Sequence, residues 1–79
     1  MRLDKYLKVS RLIKRRTIAN EMCDGGKVKI NDKTAKASTE VKIGDIIEVS
    51  FGEKRTKVQI TEISEHVTKA GASEMYKLL

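Results

Sequence analysis

Ile18-Ala19-Asn20-Glu21-Met22-Cys23-Asp24-Gly25-Gly26-Lys27-Val28-Lys29-Ile30-Asn31 contains the change of period on which the fold turns. Ahead of the glycines, Ile18, Ala19, Met22 and Cys23 recur at i, i+1, i+4 and i+5, one stripe of an α-helix. Beyond them Val28 and Ile30 alternate with Lys27, Lys29 and Asn31, the period of a half-buried strand. Gly25-Gly26 sits between the two patterns. Glycine just past the last periodic residue stops a helix, because it takes the left-handed conformation without a Cβ clash.

Upstream, Leu3, Tyr6 and Leu7 recur at i, i+3 and i+4, a short amphipathic helix with Arg2, Asp4, Lys5 and Lys8 towards water. Ser10 to Ile13 is a connection with Leu12 and Ile13 turned inward, and a second helix runs from near Lys14 to about Asp24. Downstream, Asn31-Asp32-Lys33 has turn chemistry, and Thr34 to Ala37 returns beside the first strand. Val41 and Ile43 lead into a Gly44-Asp45 turn and a strong strand, Ile46-Ile47-Glu48-Val49-Ser50-Phe51. Gly52-Glu53 turns the chain into a further strand from Arg55 to Ile63. The pattern over Ala72-Ser73-Glu74-Met75-Tyr76-Lys77-Leu78-Leu79 predicts a short C-terminal helix, which must dock or fray because an isolated helix of that length is marginal in water. The fold class is α+β: two N-terminal helices packed on a small antiparallel sheet. Residues 1–65 form the domain, and residues 66–79 a tail with the short helix. Leu3, Leu7, Ile18, Met22, Val28 and Ile30 are assigned to the core.

Seventy-nine residues make one domain. A chain this short buries only about 60% of its unfolded surface. A single cysteine makes neither an internal disulfide nor a zinc site, and Cys23 is read as a small buried hydrophobe. No apolar run approaches the roughly 20 residues that span a bilayer, and Met1 to Tyr6 lacks the apolar core of a signal peptide. A cytoplasmic module with no membrane partner is expected. His66 stands alone and is read as a surface histidine, no serine has a nucleophile-elbow context, and Gly25-Gly26 lacks the frame of a phosphate loop. Catalytic residues, bound metal and cofactors are therefore not expected.

Charge is concentrated. Seventeen Lys and Arg stand against eleven Asp and Glu, a net charge of +6. Residues 1–30 hold nine basic and three acidic side chains and so carry the whole excess. Such a basic face beside a nearly neutral remainder is the footprint of a polyanion binder. Arg11, Lys14, Arg15 and Arg16 lie at the entry to the second helix, where backbone N–H groups also attract anions. On a helix, residues 14–16 fan over about 200°. Arg16 has Asn20 as its i+4 neighbour and presents a guanidinium fork suited to phosphate. Arg2 and Lys5 extend the charge from the first helix, and Lys27 and Lys29 from the strand, as one continuous basic surface. Asp4 is a first-turn residue that favours the helix dipole and pairs with an arginine of the second helix. Lys54, Arg55 and Lys57 are read as a solvated strand face. One Phe, two Tyr and no Trp are too few for a single-strand stacking platform. Structured RNA, read by backbone and shape, suits this composition.

Arg2-Leu3-Asp4-Lys5-Tyr6-Leu7, Arg15-Arg16, Gly26-Lys27-Val28-Lys29-Ile30-Asn31, Lys36 and Val41-Lys42-Ile43-Gly44-Asp45 together resemble the S-four RNA-binding domain, or alpha-L motif, over about residues 1–51. The uninterrupted Lys8-Val9-Ser10-Arg11-Leu12-Ile13-Lys14-Arg15-Arg16-Thr17 is similar to the RqcP-like stand-alone members. The small heat-shock members, which usually carry a longer basic tail, are the second likeness. One departure is Asp32, where many members have glycine, which leaves the type of the hairpin turn open. The resemblance implies a non-enzymatic factor of ribosome-associated quality control. Such a factor binds an obstructed large ribosomal subunit, contacts its rRNA and the P-site tRNA, and supports alanine tailing of the stalled chain by a partner protein. It implies Arg2 and Arg16 as the principal RNA contacts, with Lys5, Arg11, Lys14 and Arg15 around them, in a monomer. The alternatives are a heat-shock-type recycling factor for large subunits carrying nascent chain-tRNA and a protein-binding adaptor acting through the C-terminal patch. A helix-turn-helix DNA binder is disfavoured by the few base-reading side chains and the glycine pair.

Overall fold

Seven residues of the first helical pattern, Leu3–Val9, form α1, and nine, Arg16–Asp24, form α2. The computed structural model describes residues 1–65, 69–72 and 74–79. His66 lies outside the described residues. The strands are β1 (Val28–Ile30), β2 (Lys33–Thr34), β3 (Ile46–Phe51), β4 (Lys54–Ile60) and β5 (Tyr76–Leu78), with a four-residue helix, α3 (Lys69–Ala72), before the last. They make one antiparallel sheet in the order β2-β1-β3-β4-β5.

The core lies between the helices and one face of the sheet. Leu3, Tyr6 and Leu7 of α1, Ala19 and Cys23 of α2, and Val28, Ile47, Val49, Val58 and Ile60 of the strands are all buried in it. Leu12 and Ile13 turn inward as expected. α2 presents small residues to α1, which lets the two backbones approach. That stripe runs through Ala19 and Cys23 with Met22 at its margin, so Ile18 falls to one side and is 42% exposed rather than part of the core. Each residue on a helix turns the side chain by about 100°, and one position separates the buried Ala19 from the exposed Ile18.

The glycine pair ends α2 in a Schellman motif. Gly25 is the C-cap, and Gly26 takes the left-handed conformation with φ +78°. The Lys27 N–H donates to the Met22 carbonyl at 2.9 Å and the Gly26 N–H to Cys23 at 3.1 Å, which satisfies two of the carbonyls a helix end leaves open. The β1–β2 hairpin has a two-residue turn, because Ile30 pairs with Lys33. Asn31 and Asp32 both have positive φ, 49° and 68°, the requirement of a type I′ turn. Asp32 adopts the conformation that glycine takes without strain.

Asn31 and Asp45 join the two strand motifs. The Asn31 amide donates to Asp45 Oδ1 at 3.1 Å, and Asn31 Oδ1 accepts from the Ile46 N–H at 3.0 Å. Asp45 Oδ2 accepts from the Lys42 N–H at 2.9 Å. The loop between β2 and β3 runs beside the start of α1, where the Leu3 N–H donates to Thr39 and the Asp4 N–H to Ala37. This contact fixes where Arg2 and Asp4 stand relative to the sheet.

The C-terminal helix over Ala72–Leu79 is not formed. The helical turn lies earlier, at Lys69–Ala72, and Tyr76–Leu78 is a strand on the edge of β4. A short helix would satisfy only its own few hydrogen bonds. A strand instead completes the exposed ladder of β4 while burying Met75, whose carbonyl accepts from the Tyr6 hydroxyl at 2.8 Å. β4 correspondingly stops at Ile60, short of the expected Ile63.

Candidate nucleic-acid interface

The side chain of Asp4 is almost wholly buried, 3% exposed, on the first turn of α1 facing α2. Its Oδ1 accepts from the Lys5 backbone N–H at 2.8 Å and its Oδ2 from the Asn20 amide at 3.2 Å. Two guanidinium groups complete the set. Arg2 approaches Oδ1 through Nε at 3.3 Å, and Arg16 approaches through Nε at 3.5 Å and Nη2 at 3.5 Å. Burial pushes the Asp4 carboxyl up, but the Asn20 amide, the Arg16 guanidinium and the Lys5 N–H together outweigh it and hold the group below its ordinary value. Asp4 is thus ionised at neutral pH.

Arg2 and Arg16, fourteen positions apart in the chain, therefore meet over one carboxylate. Each gives part of its donor fork to Asp4, and each side chain remains about half exposed, 50% and 48%. Two cations and one anion leave one net positive charge, with guanidinium edges still open to an incoming anion. Beside them a pocket is lined by Asp4, Arg16, Thr17, Asn20 and Glu21. Its hydroxyl, amide and carboxylate groups offer both donors and acceptors, chemistry that suits a ribose 2′-hydroxyl next to a phosphate.

The other expected contacts fall in three places. Arg11, Lys14 and Arg15 are exposed on the approach to α2, with Arg11 in a left-handed conformation at φ 63°. α2 begins at Arg16, and Arg15 is its extended N-cap. Lys14 and Arg15 therefore do not fan around a helix: residues 12–14 form a bend, Arg15 alone is extended, and no side chain caps the helix start. Lys5 pairs with Glu65 at 3.3 Å, which partly offsets its charge. Lys27 and Lys29 do not join the helical surface. Val28 between them is buried in the core, and strand alternation turns its neighbours to the sheet face away from the helices. The single continuous basic surface is accordingly two surfaces.

Two buried reactive groups are held inert. Burial, with the nearby charges of Asp4 and Asp24, pushes the Cys23 thiol up to about 11, and burial raises Tyr6 as well, so its hydroxyl remains a donor. Among the described residues, no cluster of metal-ligating side chains and no helix long and apolar enough to cross a membrane is present.

Residues 1–47, which contain Arg2, Asp4 and Arg16, match the S4 domain. The chain belongs to the S4-domain family. The resemblance extends beyond the domain. A Bacillus subtilis protein named RQC P-site tRNA stabilizing factor is 53% identical over the whole chain, which covers 92% of that relative. Its namesake from Halalkalibacterium halodurans is 53% identical over 99% of the chain and 89% of the relative. Among solved structures, the trimeric Heat Shock Protein 15 of Vibrio cholerae superposes with a TM-score of 0.92 at 35% identity, over all of this chain and 81% of that one. The fold is shared with the Heat Shock Protein 15 structure, while the sequence lies nearer the tRNA-stabilizing factors.

Sequence reasoning anticipated an Asp4–arginine pair but not that Asp4 also holds Arg2 and Asn20. The signal was present: Arg16 and Asn20 are i, i+4 neighbours on the helix that Asp4 faces. The Asn31–Asp45 link was missed, because it joins two motifs that are adjacent only after the strands pair.

Proposed function

We propose that this chain is a non-enzymatic, cytoplasmic factor of ribosome-associated quality control that stabilises P-site tRNA on an obstructed large ribosomal subunit. The observation that carries the reading is its full-length likeness, at 53% identity, to proteins named RQC P-site tRNA stabilizing factor. The site geometry gives that reading a chemistry. Phosphate contacts set register and shape supplies selectivity, so the mechanism is positioning, with no bond made or broken.

Arg2 and Arg16 are the principal contacts in this account. Asp4 orients both guanidinium groups before RNA arrives, which lowers the side-chain entropy lost on binding. Arg11, Lys14 and Arg15 add charge along the approach to α2, with Lys5 a lesser contributor because of Glu65. The partners are large-subunit rRNA, tRNA and the obstructed subunit itself, with a protein tailing factor acting on the same particle to add alanine to the stalled chain. The factor acts as a monomer.

Sucrose-gradient fractionation of cells making the tagged protein tests this, followed by crosslink mapping of the RNA. The protein should travel with large subunits that retain tRNA, and crosslinks should fall in large-subunit rRNA and tRNA. Sedimentation with small subunits, or at the top of the gradient when obstructed large subunits are abundant, would contradict it.

A further inference from the structure

The sheet face turned away from the helices carries its own ordered set of cations. The register places Lys29 opposite Glu48, and Glu48 opposite Lys57. Lys27 continues the β1 ladder opposite Ser50, whose N–H donates to its carbonyl at 2.9 Å, and Ser50 pairs with Arg55. Gln59 pairs with Lys77 on β5. Directly paired residues share a face, and the buried Val28, Ile47, Val49, Val58 and Ile60 define the opposite one. Lys27, Lys29, Arg55, Lys57 and Lys77 therefore lie on one side of the sheet.

Four of these cations form two rows, Lys27 and Lys29 along β1 and Arg55 and Lys57 on β4, separated by β3 and hence by about 10 Å, with Lys77 on β5 beyond the second row. Within each row the residues stand two apart, about 7 Å along the strand. Lys27, Arg55, Lys57 and Lys77 are exposed and Lys29 is half-buried. Among the strand positions on this face, Glu48 is the one carboxylate. It lies between the rows, is 16% exposed, and reaches Arg55 at 3.8 Å. Five cations around one shielded anion are more than the internal pairing needs.

We propose that this sheet face is a second phosphate-binding surface, separate from the Arg2–Asp4–Arg16 site, and that its occupant is the backbone of a structured RNA segment. The ligand class follows from charge complementarity: two parallel cationic rows, with Ser50 between them and Gln59 continuing the β4 row, can contact phosphate and ribose, and no aromatic side chain stands among these positions to stack a base. The two surfaces are on opposite faces of a domain measuring 28 × 24 × 22 Å, so two RNA segments can be held at once. The proposal takes its ligand class from the functional reading above, but its residues are different ones.

The test uses the full chain and a fluorescent RNA hairpin, titrated over a range of salt concentrations. The triple variant Lys29→Gln, Arg55→Gln, Lys57→Gln should bind more weakly, with a log-affinity against log-salt slope shallower by about 2–3. Arg2→Ala with Arg16→Ala should leave a residual binding that the triple variant's substitutions abolish. Glu48→Gln supplies a gain of function that misfolding cannot imitate: affinity at low salt should rise about threefold or more. An unchanged slope in the triple variant together with unchanged affinity in Glu48→Gln would overturn the proposal while leaving the helical site standing. Loss in the triple variant with none in the arginine pair would sink the helical site and keep this one. Loss of binding to anionic lipid vesicles or to an acidic polypeptide, without loss of hairpin binding, would also overturn it.

Discussion

Two carboxylates sit among cations in this molecule, and they are placed differently. Asp4 is on the helical layer, almost wholly buried, with every polar contact directed to a named partner. Glu48 is on the outer sheet face, between lysines that register alone sets beside it, with one long ion pair to Arg55. The first arrangement fixes where two guanidinium groups point. The second only lowers the local positive potential. Removing charge at the two sites should therefore have opposite consequences, which charge counting does not foresee.

The largest effect on the fold belongs to Asp4→Ala. It leaves Asn20 and a backbone N–H without their acceptor and releases two arginines, which should cost about 2–3 kcal/mol in urea melts. Half-exposed arginines are partly rehydrated, which keeps the loss below that of a fully buried pair. The same carboxylate gives the acid limb of the stability curve its slope. Its folded-state value lies below the unfolded one, so its contribution is present above about pH 4 and is lost as pH falls through the folded value. Asp4→Asn should flatten that limb, and an unaltered limb would detach the carboxylate from the folded state's stability.

Arg16→Ala sharpens the comparison at the level of binding. It should weaken large-subunit association about tenfold or more, with Arg2→Ala close behind and circular dichroism unchanged, because Asp4 keeps one guanidinium in either case. Lys54→Ala, at the far end of β4, should change association by less than about twofold. Equal losses for Arg16 and Lys54 would mean that net charge, not the paired site, drives association.

Gly26→Ala acts at the seam between the regions. A Cβ at φ +78° should cost about 1–2 kcal/mol in thermal melts, with both surfaces weakened together only through the fold. Asp32→Gly touches the sheet alone. Relief of a left-handed aspartate should stabilise by about 0.5–1 kcal/mol and leave RNA affinity at the helical site as it was.

What could be seen in the sequence was what local chemistry determines. Gly26 announced the helix end, because no other residue takes its φ freely, and the alternation at Val28 and Ile30 announced the strand that follows. The start of α2 lies two residues beyond Lys14, and the run of Lys14, Arg15 and Arg16 contains no capping side chain to mark that boundary. Spacing alone puts Ile18 in the core, but the buried stripe of α2 runs through Ala19 and Cys23 and leaves Ile18 at its side. The pattern over residues 72–79 reads as a helix because Met75 and Tyr76 suit either period, and the unfilled edge of β4 that makes β5 a strand is a tertiary fact. Charge concentration marks out residues 1–30 as a whole and so merges Lys27 and Lys29 with the helical cations; only the family resemblance singles out Arg2 and Arg16. Which face of a sheet a lysine occupies depends on burial of its neighbour, and only the packed Val28 decides it.

The most direct measurement is the affinity of Asp4→Asn for large ribosomal subunits carrying tRNA, determined by co-sedimentation with the melting temperature recorded alongside. Subtracting a negative charge beside a phosphate site should tighten binding if charge alone matters. If Asp4 holds Arg2 and Arg16 in place, binding weakens by about fivefold or more while the protein stays folded; binding equal to or tighter than that of the unmodified chain would contradict the account.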